Sequence, residues 1–178
     1  MTLKASKSGE RDEVISLSIL HRVGVKDQDE REEYLRFAPW KPEKDGEMRD
    51  QERYRFLVER EQFILTVCAN GYGKLSSAYE YRRTNRGGQG ITNIDNIARN
   101  GPVVASFAAS KDDQLMLVTD QAKLIRLPLT SLRVIGRGSA GVRLFNVSDE
   151  EHVVSAVRLV DAGEEEDAGQ ESTEEGEA

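Results

Sequence analysis

The sequence predicts an all-β protein, organised as a partial propeller-like array of blades that are each about 50 residues long. Short apolar segments recur at a fixed offset, since ILTV at 64–67 and CANG at 68–71 align with LMLV at 115–118 and TDQA at 119–122, 51 residues later. Glycine-rich turns separate these segments, as is typical between strands. One small blade cannot bury both of its faces, and closed propellers have about four to eight blades. Two clear repeats therefore indicate a fragment, or the end of a longer protein.

Residues 1–21 are interpreted as the end of a preceding blade. Alternating β-branched and apolar residues predict a strand over residues 13–20. VISL at 14–17 also resembles VVAS at 103–106 and VVSA at 153–156, the segments that would close the two later blades. We therefore expect residues 13–20 to be the closing strand of a blade.

Residues 22–61 are interpreted as a charged, partly helical insertion or linker between blades. The interval between the first and second closing segments is 39 residues longer than the interval between the second and third, and this surplus matches the length of the insertion. Helical spacing predicts two short helices, over residues 30–37 and 52–60. Trp40, the single tryptophan, is expected to dock on the adjacent blade rather than to contact a ligand.

Residues 62–160 are predicted to form two β blades, and residues 161–178 a disordered acidic tail. The tail carries nine acidic residues and no basic residue, so it offers little apolar surface to offset the entropy of ordering. Because the whole chain has a net charge of −7, the other residues together carry +2. Residues 74–143 contain eleven basic and five acidic residues. This charge distribution is typical of a basic binding surface with an acidic appendage.

The sequence predicts no catalytic residue, metal site or cofactor in this chain. His21 and His152 have no His or Cys companions at metal-ligand spacing, and the NGYGK turn at 70–74 lacks the spacing of a phosphate-binding loop. The single cysteine, Cys68, fits a reducing cytoplasm. No signal peptide is predicted, and the apolar runs are far too short to span a membrane. We therefore expect a cytoplasmic protein.

Arginine beside glycine marks the best candidate binding residues. In RGGQG at 86–90, glycines allow either a close crossover of strands or a close approach of backbone amides and a guanidinium group to phosphate. Arg86 and Arg137 occupy equivalent repeat positions, so they would lie on one rim as a curved positive band. Such a band suits phosphate contacts to bent duplex DNA. The alternative for any single arginine is that it is a solvated surface residue that binds no ligand. The candidate DNA-binding residues are Arg86, Arg137, Lys74, Arg82, Arg83, Arg126 and Arg143.

Several segments resemble blades of the C-terminal DNA-wrapping domain of DNA gyrase A, the DNA-cleaving component of a type IIA topoisomerase. In the first repeat they are FILTV at 63–67, NGYGK at 70–74, YEYR at 79–82 and RGGQGI at 86–91. In the second they are LVTD at 117–120, KLIR at 123–126 and GRG at 136–138. The resemblance covers residues 12–20 and 62–159, and it implies a β-pinwheel whose positive rim wraps double-stranded DNA.

The resemblance also implies a place for this chain within a larger enzyme. The chain would be the DNA-wrapping part that supports ATP-dependent negative supercoiling, with the remainder of gyrase A and with gyrase B as partners. Its location would be the bacterial cytoplasm, at the nucleoid. ATP and magnesium are implied only for the whole gyrase, and the family's DNA-cleaving tyrosine belongs to another domain.

The sequence also departs from the family pattern. The family's wrapping box has Gln, a base, Arg-Gly-Gly, a base and Gly, and TNRGGQG at 84–90 matches it only at Arg86, Gly87, Gly88 and Gly90. This weakened copy implies that the principal box would lie upstream. Two alternatives stay open: the C-terminal domain of the paralogous protein of topoisomerase IV, and a propeller-type protein-interaction module that does not bind DNA.

Overall fold

The computed structural model describes residues 13–22, 24–42, 45–85, 90–95 and 97–160. Most of the regular structure is β, and two short helices precede the strands. The elements are α1 (Gln28–Phe37), α2 (Gln51–Glu59), β1 (Phe63–Cys68), β2 (Tyr72–Ser77), β3 (Val103–Ala109), β4 (Gln114–Thr119), β5 (Leu124–Pro128), β6 (Val142–Arg143) and β7 (Val153–Leu159). The predicted β class is confirmed, and the two short helices lie within residues 22–61, the predicted insertion. The predicted tail over residues 161–178 lies outside the described residues.

The strands form two antiparallel sheets that share a three-stranded layout. Blade 1 has the strand order β3–β1–β2, to which β6 is added beside β2, and blade 2 has the equivalent order β7–β4–β5. Phe63 pairs with Ser77 in the first hairpin, and Gln114 pairs with Pro128 in the second, so both partners are shifted by 51 residues. The β1–β3 and β4–β7 ladders also have an irregularity at equivalent positions. The repeat predicted from sequence is therefore a repeat of hydrogen-bond register.

One strand of the second repeat joins the sheet of blade 1. β6 follows β5 in the chain, yet it pairs with β2 of blade 1, where Gly73 lies opposite Val142. Gly141, which precedes β6, has a φ of +84°, and a β-carbon on it would lie 2.7 Å from the Gly73 carbonyl oxygen. Only glycine fits both this backbone angle and this space. At the second repeat, the glycine therefore serves a strand crossover.

The facing sides of the two blades share one hydrophobic core. Leu65 and Leu75 of blade 1 are fully buried in the same cluster as Leu115 and Leu117 of blade 2. Because side chains alternate across a strand, the residues next to each of these leucines along its strand point to the other face of the sheet. Burial of these leucines holds the blades in a fixed relation, which positions β6 and the loop that precedes it.

Residues 22–61 contain two helices that pack against blade 1. Asp27 and Asp50 cap α1 and α2, since their carboxylates accept hydrogen bonds from backbone N–H groups at 2.8 and 2.9 Å. Tyr34 of α1 and Leu57 of α2 are buried together with Tyr79, which follows β2. The Tyr34 and Tyr79 rings meet edge to face, with their centroids 5.0 Å apart. The two helices therefore form a small second core together with Tyr79 of blade 1.

Glu61 joins the insertion to the blade by hydrogen bonds. Its carboxylate accepts from the Tyr34 hydroxyl at 2.8 Å, the Trp40 indole N–H at 2.9 Å and the Ser77 hydroxyl at 2.6 Å. Trp40 also packs against the cores of both the insertion and the blades. This placement agrees with the expectation that Trp40 docks on the adjacent blade.

The predicted strand over residues 13–20 is wrong. The segment has no strand pairing, and it meets edge strand β3 through one hydrogen bond, from the Ser16 hydroxyl to the Ser106 carbonyl. Leu17 and Ile19 are each 91% exposed. Strands β3 and β7 each pair with the first strand of a hairpin, and the described residues contain no free hairpin for residues 13–20 to close. The segment has the alternating apolar pattern of a strand, but no neighbouring strand pairs with it.

Among the described residues, neither α1 nor α2 has the length and the apolar character of a membrane-spanning helix.

A buried carboxylate organises the end of blade 2. Glu151 is 2% exposed, and it accepts hydrogen bonds from the Thr119 hydroxyl at 2.8 Å and the Lys123 ammonium group at 2.5 Å. The Ser148 hydroxyl and backbone N–H donate to the same carboxylate at 3.2 and 3.3 Å. The Lys123 hydrogen bond, followed by that from Thr119, lowers the pKa of Glu151 to about 2.

Replacing Glu151 with glutamine is expected to change how stability depends on pH. An unfolded glutamate has a pKa of about 4.3, so the ionised form of Glu151 stabilises the fold above that pH. This contribution is lost as the pH falls toward about 2. The difference in urea midpoint between the wild-type chain and Glu151→Gln should therefore be largest near neutral pH and shrink below about pH 4. Glu150→Gln, at an exposed neighbour, is the matched control, and pH curves that stay parallel would contradict the assignment.

Candidate nucleic-acid interface

Arg137, one of the two best predicted candidates, lies on a loop that contacts with blade 1 hold in place. Residues 135–141 belong to the second repeat and pass over β2 of the first. The Ile135 N–H donates to the Leu75 carbonyl at 2.9 Å. The side-chain amide of Asn100 donates to the Ala140 carbonyl at 2.7 Å. Backbone and side-chain groups of one repeat thus fix the arginine-bearing loop of the next.

Lys74 lies beneath this loop and not on an outer surface. The residue is 1% exposed, and its ammonium group donates to the carbonyls of Gly136 and Ser139, both at 3.2 Å, and to the Arg137 carbonyl. Burial lowers the pKa of Lys74 to about 8, although the Glu80 carboxylate opposes this change. Since the ammonium donors are used inside the fold, we replace the predicted DNA contact of Lys74 with a supporting role.

Arg137 is fixed at both its backbone and its side chain. Its N–H donates to Glu80 Oε2 at 2.5 Å, and its Nη1 donates to the Thr92 carbonyl. The residue is half-buried, so part of the guanidinium group reaches the surface. A guanidinium group has several N–H donors in one plane, so this single contact leaves donors for another acceptor. Arg137 is therefore oriented before any ligand arrives.

A second cluster lies where β6 joins blade 1. Arg143 donates from Nη2 to the Tyr72 hydroxyl at 2.7 Å and from Nη1 to Asn146 Oδ1 at 2.8 Å. The Cζ atoms of Arg99 and Arg143 lie 5.0 and 5.2 Å from the centre of the Tyr72 ring. Cation–π attraction of this kind reduces the freedom of an exposed arginine. Two positive charges are thus held at the surface against the same tyrosine ring.

Sequence reasoning missed Arg99. Its equivalent in the second repeat is Glu150, so the repeat gives no signal for it. The residue lies in a short 3-10 helix, Ala98–Asn100, where Asn100 is buried and Arg99 is exposed. The signal in the sequence was a basic residue directly before the Asn-Gly pair that opens a blade-closing segment. Its contact with Tyr72 depends on the fold.

The structure separates several of the other predicted arginines. Arg126 lies on β5 of blade 2, where its Nε donates to Gln114 Oε1 at 2.5 Å. Arg82 and Arg83 are exposed, after the short 3-10 helix Ala78–Glu80 and toward the insertion. Arg86 lies outside the described residues. The structure therefore brings Arg137 and Arg143 onto one segment and leaves Arg126 on the other blade.

The cysteine is buried among blade residues. Cys68 is a free thiol, and burial raises its pKa above the usual range. The thiol therefore stays protonated at neutral pH and is a poor nucleophile. In the part of the chain that the structure describes, no group of three or more His, Cys, Asp or Glu side chains is placed to hold a metal ion.

The repeated antiparallel blades, the strand that one repeat adds to the sheet of the other, and the arginine-bearing loop at their junction place this chain in the class of β-propeller-like arrays. A family model for the DNA gyrase C-terminal domain, beta-propeller, matches residues 62–110 and 113–159. The chain belongs to this family. The resemblance drawn from RGGQGI and the neighbouring segments is therefore confirmed.

Curated relatives agree with the family. The chain is 39% identical to the DNA gyrase A protein of Rickettsia prowazekii over 182 residues, which is 94% of this chain and 20% of the relative. It is 38% identical to the DNA gyrase A protein of Granulibacter bethesdensis over 190 residues, again 94% of this chain and 20% of the relative. The chain thus spans about a fifth of the length of these relatives, and the match includes the insertion.

Solved structures show the same fold. The chain matches a structure of the DNA gyrase A C-terminal domain with a TM-score of 0.51 and 26% identity, over 55% of this chain and 33% of that chain. It matches the C-terminal domain of DNA topoisomerase IV with a TM-score of 0.51 and 17% identity, over 56% of this chain and 31% of that chain. The second match shows a shared fold alone.

Proposed function

We propose that this chain binds double-stranded DNA through phosphate contacts, as the C-terminal part of a DNA gyrase A protein. The observation that carries the proposal is the placement of Arg137 and Arg143 on one segment fixed to blade 1, with Arg99 stacked beside Arg143 on Tyr72. Planar guanidinium groups suit phosphate oxygens, and phosphate contacts do not depend on base sequence. The binding is therefore sequence-independent.

Preorganisation of the arginines supports this function. The Arg137 loop is tied to blade 1 through Lys74 and Asn100, and Tyr72 restricts Arg99 and Arg143. Side chains that are already ordered lose less entropy when they bind. The surface can therefore grip a backbone with few contacts.

In the whole enzyme, such binding would wrap DNA and support ATP-dependent negative supercoiling. The partners would be the remainder of gyrase A and the gyrase B protein, in the bacterial cytoplasm at the nucleoid. ATP and magnesium would serve parts of the enzyme beyond this chain. Family membership and the gyrase A relatives support these proposals.

Replacing Arg137 and Arg143 with alanine is expected to weaken DNA binding and its dependence on salt. Each phosphate contact contributes about 0.9 to the slope of log K against log salt. Loss of two contacts should lower the slope by roughly 2 and the affinity at low salt by at least an order of magnitude. Fluorescence anisotropy of a labelled duplex, titrated at several salt concentrations, measures both quantities.

The control removes the same charge from another surface. Arg36 and Arg55 are exposed residues of the insertion helices, and their double alanine variant should keep most of the affinity. Circular dichroism verifies that both variants are folded. A wild-type chain with no DNA binding, or with binding that does not change with salt, would overturn the proposal.

A further inference from the structure

A second basic surface lies between the insertion and blade 1. A groove of about 770 Å³ runs from the start of α1 to the residues that follow the short 3-10 helix Ala78–Glu80. Four arginines line it: Arg22, Arg31, Arg82 and Arg83. The insertion contributes the first two and blade 1 the other two. The groove therefore exists because the insertion packs on this blade.

Positive charge in the groove is largely unbalanced. Among the described residues, none of the four arginines forms an ion pair, whereas Arg53 of the same insertion pairs with Glu30 at 2.7 Å. The acidic residue that lines the groove, Asp27, uses its carboxylate to cap α1 by accepting from the Glu30 N–H at 2.8 Å. Four like charges at one surface attract an anion.

The groove continues the surface that carries Arg137. Glu80 accepts the Arg137 N–H at 2.5 Å, and Arg82 follows Glu80 by two residues. Two residues of chain span at most about 7 Å. A polymeric anion that contacts Arg137 is therefore within reach of the groove as well.

We propose that this groove binds the phosphodiester backbone of the same DNA duplex, with Arg22 and Arg31 of the insertion as added phosphate contacts. This inference rests on the proposed function and extends it to the insertion. A backbone with regularly spaced phosphates matches several separate arginines, and each guanidinium group can donate two hydrogen bonds to one phosphate. The insertion is thus a DNA-binding element and not only a linker between blades.

The test compares two double variants with the wild-type chain. Arg22→Ala with Arg31→Ala should lower the salt slope by roughly 2 and the affinity for a labelled duplex at low salt by at least tenfold. Arg22→Lys with Arg31→Lys keeps the charges and should retain most of the salt slope. Circular dichroism and thermal melting verify the folding of each variant. If the alanine variant unfolds, the DNA affinity and salt slope of the lysine variant are compared with those of the wild-type chain instead.

Matched controls separate this inference from the proposed function. The Arg36 and Arg55 double alanine variant removes the same charge from insertion surfaces outside the groove. If it weakens binding as much as the groove variant, a general charge effect overturns the groove site. If Arg137 and Arg143 matter for DNA binding but Arg22 and Arg31 do not, the groove inference alone fails. If neither pair matters, the proposed function fails as well. An affinity of the groove for an acidic peptide instead of DNA would also overturn the inference.

Discussion

Replacing Lys74 with alanine should destabilise the chain by roughly 3 kcal/mol, because it removes a buried side chain together with its three hydrogen bonds to loop carbonyls. Those carbonyls belong to the loop that carries Arg137, so DNA binding should fall about as far as it does when Arg137 itself is replaced. Urea denaturation measures the first effect. Anisotropy titration at a temperature where the variant is folded measures the second.

Two further variants sharpen the Lys74 prediction. Lys74→Met keeps much of the side-chain volume and removes the ammonium group, so it isolates the contribution of the three hydrogen bonds. Lys111→Ala removes a lysine from the turn between β3 and β4 that makes no ion pair among the described residues, and it should leave both stability and DNA affinity almost unchanged. A Lys74→Met chain with wild-type stability and affinity would show that the loop does not depend on this anchor.

Replacing Leu117 with alanine should destabilise the chain by about 2–5 kcal/mol, the usual range for a leucine removed from a packed core. Leu117 is fully buried in the cluster that joins the two blades. Because this cluster fixes blade 2 against blade 1, its loss should also disturb the placement of β6. The urea midpoint reports the stability, and hydrogen exchange at the β6 amides reports the strand.

Leu124 provides the matched control. It is a leucine of the same blade, on the strand next to Leu117, but it is 71% exposed. Leu124→Ala should therefore change stability by less than about 0.5 kcal/mol. Equal effects at the two positions would mean that the contacts between the blades contribute little to stability.

The repeat, the insertion helices and the family were predictable because they depend on local pattern. Apolar alternation and turn glycines specify a hairpin wherever they occur, and the hairpin registers repeat at the offset seen in the sequence. The helices over Gln28–Phe37 and Gln51–Glu59 follow from spacing and aspartate caps. The strand expected over residues 13–20 failed because alternation describes a face, whereas a strand also needs a partner.

The site was only partly predictable because its contacts join distant parts of the chain. Arg137 was found from its glycine neighbours and from its repeat position. Lys74 was misplaced, since nothing local shows that β6 and the preceding loop return to cover β2. Arg99 was missed because its stacking on Tyr72 depends on the same return of the chain. The pairing of β6 with blade 1 is thus the feature that local patterns could not predict.

The buried ammonium group also makes Lys74 a natural probe of motion. A lysine reacts with an acylating reagent through its neutral amine, and only where the reagent can reach that amine. Reagent cannot reach it while the loop over residues 135–141 is closed, because the side chain is buried beneath three carbonyls. Acylation of Lys74 therefore proceeds only as often as the loop lifts. Mass spectrometry of that one lysine can time the opening of the blade junction with no added label.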